Sequence, residues 1–145
     1  MSPSGTISLV TIYSSDRRFE VWGWGVGHRG LLLRSNPPSD GQPRIEVLFK
    51  PAYAVGLSVL LDGVQITESG SDALPDEVRM VHGGDLREWE HLYRIVSGTG
   101  SGWVIGGSVS GRQDHEKDFA PTMFDGWAPR EGVVELFSRY GSAKS

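Results

Sequence analysis

The chain has no cysteine. Disulfides and zinc–thiolate sites are therefore excluded, and a reducing compartment such as the cytoplasm fits the composition. Long apolar runs are lacking as well. No stretch approaches the ~20 residues that span a bilayer. The opening MSPSGTISLVTIYSS has no basic segment ahead of an apolar one, so no signal peptide is expected. A basic stripe is also missing. Fourteen Lys and Arg stand against eighteen Asp and Glu, for a net charge of −4, with +2 in residues 1–50 and −6 in residues 51–145. Phosphate neutralisation supplies most nucleic-acid affinity, so neither nucleic acid nor membrane is expected as a partner.

A length of 145 residues predicts one domain spanning 1–145. At that size roughly 70% of the unfolded surface is buried, and no staple is needed. Twenty glycines and eight prolines punctuate short apolar runs. Eight or more short strands at 8–12-residue spacing predict a mainly β fold, an antiparallel sandwich or barrel with at most one or two short helices.

Residues 17–50 carry the clearest pattern. Along 17–26, alternation puts Phe19, Val21, Gly23 and Gly25 on one face and Glu20, Trp22, Trp24 and Val26 on the other. Glycine inside a strand marks a bend, a bulge or a close approach. Two readings follow. In one, both indoles lie in the core, where Trp is mostly found. In the other, Trp22 and Trp24 form a flat aromatic platform for a ligand, with Trp103 available from another strand. The turn Gly27-His28-Arg29-Gly30 then leads into Leu31–Leu33. After a proline-rich loop, Ile45, Val47 and Phe49 alternate with Arg44, Glu46 and Leu48 in a half-buried strand that Pro51 stops.

Further along, Asp62-Gly63 between two apolar runs predicts a hairpin turn. Residues 68–77 read as a loop and 78–82 as a short strand. Asp85 with Glu88 fits a capping box for one helical turn, against a strand from Trp89 to Val96. Residues 98–102 form a hairpin turn; the glycine spacing lacks the Lys and following helix of a phosphate loop. Gly106-Gly107 suggests a bulge or crowded approach. Residues 112–118 read as a solvated charge run, and 119–129, with Phe124 and Trp127, as a loop folded over a sheet. Val133, Leu136, Phe137 and Tyr140 share one helical face and predict a C-terminal helix, although Gly132 and the Val133-Val134 pair favour a strand.

The signals for chemistry are few. His28, His82, His91 and His115 show no local metal-ligand spacing, so no metal site and no cofactor are expected. Asp114, His115, Glu116 and Asp118 cluster, but without the calcium-loop pattern. His28, in its glycine turn, is the one catalytic candidate, and would need a remote carboxylate. The leading expectation is a non-enzymatic module that binds a partner protein or a second copy of itself. The alternatives are a small-molecule-binding barrel or sandwich with an aromatic pocket at Trp22, Trp24 and Trp103, and an enzyme using His28.

Overall fold

The structure is a computed structural model, and it describes residues 9–24, 29–69, 74–117, 120–124 and 130–140. It is mainly β, with antiparallel strands in one sheet and, among the described residues, a single short helix. In chain order these are β1 (Leu9–Trp24), β2 (Leu31–Ser35), β3 (Arg44–Gly56), β4 (Leu60–Ser69), α1 (Asp76–His82), β5 (His91–Ser97), β6 (Gly100–Asp114) and β7 (Val134–Arg139). Seven strands are thus found among the described residues, and β1, β3 and β6 are long rather than short. The order is β3-β2-β1-β4-β5-β6-β7, and β3 also pairs with β6. Six strands therefore close a barrel-like ring, and β7 continues along the edge of β6.

The ring interior is apolar. Phe19, Leu31, Leu33, Val47, Phe49, Leu61, Ile66, Tyr93, Ile95, Val104 and Val109 pack into one buried cluster. A second, smaller cluster lies outside the ring, where Leu74 just before α1 and Val78 within it cover Ala54, Leu92 and Ile105, with Tyr53, Leu86 and Trp103 at its margin. Burying a Val or Leu side chain stabilises by about 1.5–3 kcal/mol, so this second cluster is enough to fix a helix of two turns.

Several local expectations change in the tertiary setting. Pro51 does not end β3. The strand runs on to Gly56 with a bulge between Ala52 and Ala54, and the Ala52 amide donates to Arg29 O at 2.8 Å. Gly106 and Gly107 face this proline; a Cβ on Gly106 would lie 2.7 Å from Pro51 O. The expected crowding there is real. Asp62-Gly63 is not a turn but lies inside β4. Gly63 has φ +77° and sits opposite a bulge in β1, between Ser15 and Arg18. Residues 76–82 are helical, not a strand, with Gly83 in the left-handed conformation closing the end (φ 91°). The capping box at Asp85 starts no helix, and β5 begins at His91. The expected C-terminal helix is replaced by β7, because Phe137 is needed opposite Gly111 and stacks on Tyr13 at 4.8 Å between ring centres. Tertiary pairing overrides the helical spacing.

Candidate functional site

Two polar systems are buried against the ring. The first is on its outer face. Register places Glu20, Arg34, Glu46, Arg112 and Glu135 opposite one another across β1, β2, β3, β6 and β7. The signs alternate, as cross-strand pairs favour. Residues 120–124 lie over the centre of this row. Glu46 accepts from Arg34 Nε at 2.7 Å, Thr122 Oγ1 at 2.8 Å and the Met123 amide at 2.7 Å. Arg112 donates to Met123 O, and its guanidinium lies 4.6 Å from the Phe124 ring. One step along, Arg44 forms a two-pronged pair with Asp114 at 2.9 and 2.7 Å and donates to the carbonyls of Ala120 and Pro121. The loop over the sheet thus matches expectation for 120–124. The solvated charge run does not: Arg112 and Asp114 are buried. Arg44 and Glu46 are buried too, so β3 is covered on both faces here rather than half-buried.

The second system is inside. Glu68 on β4 takes a 2.6 Å hydrogen bond from Arg139 Nε of β7, and its other oxygen lies 3.4 Å from His91 Nδ1. Tyr93 donates to Gly107 O. Burial, and then the charge of Glu68, push the Tyr93 hydroxyl well above the ordinary tyrosine range. These buried carboxylates are all met by arginine, which is the arrangement that makes a buried charge tolerable. Their chemistry is committed to holding strands together.

The tryptophans are not where either reading put them as a set. Trp22 and Trp24 are 44% and 51% exposed, so they are not core residues. Nor do they share a face. A bulge between Val21 and Gly23 breaks the alternation. Trp22 lies over the Arg34 guanidinium at 4.1 Å on the outer face, while Trp24 pairs with Leu31, whose side chain is in the ring core. A Cβ on Gly23 would meet nothing within 4 Å, so the glycine reflects the bulge and not a crowded neighbour. Trp103 belongs to the cluster beneath α1. It covers Gly56, where any Cβ would collide with the indole. The three indoles therefore do not line one pocket. His28 and Asp118 lie outside the described residues. Among the described residues, no group of three or more His, Asp or Glu is placed to hold a metal ion. The described helix is not long and apolar enough to cross a membrane.

No family model, curated protein or solved structure matches this chain. The geometry is therefore the source of any functional reading.

Two surfaces stand out. One is apolar. Next to Trp22 and Trp24, Leu60 pairs with Glu20, and Val59 O accepts the Val21 amide at 2.8 Å; both side chains are exposed, at 49% and 65%. The other is a cleft of about 470 Å³ lined by Arg29, Tyr53, the α1 C-terminus, Arg87, Trp89 and Glu90. Sequence reading singled out neither Tyr53, whose neighbours in the cleft come from distant segments, nor the local His82–Glu90 pair in its wall.

Proposed function

We propose that this chain is a non-enzymatic interaction module that docks a protein partner, or a second copy of itself, through the rim of the ring where β1 ends, which exposes Trp22 and Trp24 from its two faces together with Val59 and Leu60. One observation carries the reading: Trp22 and Trp24 stand half in solvent where β1 ends, and the pairing of β1 brings the exposed residues Val59 and Leu60 to the same end. Trp is highly buried on average, and it is among the residues most enriched at the energetic centres of interfaces. The bulge at Trp22 supports the same reading, because bulges re-aim side chains. The commitment of Glu46, Asp114 and Glu68 to arginines favours a binding role over a catalytic one. The lack of cysteine accords with a cytoplasmic setting.

The test compares the wild-type chain with Trp24→Ser, Leu60→Ser by sedimentation velocity and by affinity capture. Truncation at an interface centre costs about 2 kcal/mol or more. Association by the wild type should weaken by at least ~30-fold in the double variant, with an unchanged melting temperature. A wild type that stays monomeric and captures the same proteins as the variant would overturn the proposal.

A further inference from the structure

The cleft beside α1 has a built interior. His82 places Nε2 2.8 Å from Glu90 Oε1 and Nδ1 2.9 Å from Gly84 O. The Arg87 amide donates to the same Glu90 oxygen at 2.8 Å. These bonds pin the segment from Gly83 to Glu90 into a wall. The opposite wall is the bulge of β3, where Tyr53 is the extra residue. Arg29 closes one end; its backbone is held in the left-handed conformation (φ 57°) and bonded to Ala52.

The lining gives neither sign of charge a preference. Arg29 and Arg87 stand against Asp85 and Glu90, and both acids already have partners, Arg79 for Asp85 and His82 for Glu90. What the lining offers a ligand is hydrogen bonding of both kinds. A guanidinium such as that of Arg29 only donates, a carboxylate such as that of Asp85 only accepts, and the Tyr53 hydroxyl does both. Asp85 meets Arg79 through Oδ1, which leaves lone pairs on Oδ2. Beside these groups is a flat ring. Trp89 is 56% exposed even with the Arg87 guanidinium over it at 5.8 Å.

A pyranose matches this combination. It carries no charge, and its hydroxyls both donate and accept. Its C–H bonds form an apolar face with positive edges, which suits the electron-rich face of an indole. A volume of about 470 Å³ is within the range of small-ligand pockets, which use a few polar groups to orient what they hold.

We infer that this cleft binds a neutral pyranose, its C–H face on Trp89 and its hydroxyls shared among Arg29, Tyr53 and Asp85. The site is separate from the docking rim at Trp22 and Trp24 and does not depend on it. Titration of the full chain, followed through the amide NMR signals of Gly83 and Gly84, tests it. The probes are glucose, galactose, mannose and N-acetylglucosamine, with sorbitol as an open-chain polyol that has no ring face. At least one sugar should bind saturably and at least ten-fold more tightly than sorbitol. Equal binding of its methyl glycoside would assign the end of a glycan chain, and loss of binding by both methyl anomers would assign the free sugar. Affinity should fall at least ten-fold in Trp89→Ala and in Arg29→Asn, a substitution that accepts the left-handed backbone, and should be unchanged in Trp22→Ala. The inference is overturned if none of the four sugars binds better than sorbitol, or if binding survives both cleft substitutions in variants with wild-type melting temperatures.

Discussion

Glu46 is fully buried, and its two oxygens are met by Arg34, Thr122 and the Met123 amide. One side chain thus ties β2 and β3 to residues 120–124. Removing one partner of a buried ion pair leaves the other charge uncompensated, which costs about 3–5 kcal/mol, whereas replacing both with apolar groups is often neutral. Glu46→Ala should therefore lose about that much stability in urea denaturation, and Arg34→Met, Glu46→Leu should regain only part of it, because the Met123 amide and the Thr122 hydroxyl still lose their acceptor. A loss below ~1 kcal/mol in the single variant would contradict the role given to Glu46. The alternation of Ile45, Val47 and Phe49 was legible in the sequence and does mark the ring interior. The burial of Arg44 and Glu46 was not, because their cover comes from residues some 75 positions away. The tryptophans show the same limit. Strict alternation put Trp22 and Trp24 on one face, and one bulged residue moved them apart.

At the level of elements, what was legible depended on whether the signal was local. The hairpin expected at 98–102 was readable, because its turn and both strands are contiguous, although the turn is tighter and β6 already begins at Gly100. Asp62-Gly63 carried an equally strong local signal but serves a bulge whose other half is Ser15 to Arg18 on β1. The C-terminal segment had helical spacing, yet it forms β7 because a strand presents Phe137 to Gly111 and Tyr13. Gly111 is the requirement for this: a Cβ there would run into the Phe137 ring. Phe137→Ala should cost about 3 kcal/mol, the low end for aromatic truncation, because the ring is only partly buried. Thermal denaturation would check this. A melting temperature within ~1 °C of wild type would mean that β7 adds nothing to the ring.

For the molecule as a whole, a mainly β antiparallel fold followed from the rhythm of short apolar runs and turn residues. Of the two candidate surfaces only Trp22 and Trp24 were legible; their neighbours, and the cleft as a whole, come from segments far apart in sequence. Arg29, Tyr53 and Glu90 meet in one cleft. Leu60 comes opposite Glu20, two residues before Trp22, only through the pairing of β4 with β1. The ring's buried charges are paired with one another, and its exposed indoles form the rim proposed for docking. The most direct measurement is photo-crosslinking in living cells from a benzophenone side chain at position 24, with position 40, in the loop between β2 and β3, as control. The expected result is one discrete adduct from position 24 alone. An adduct of twice the 15.8 kDa chain would identify a second copy, and any other mass a protein partner. No discrete adduct from position 24, or the same adducts from both positions, would contradict the docking role of this surface.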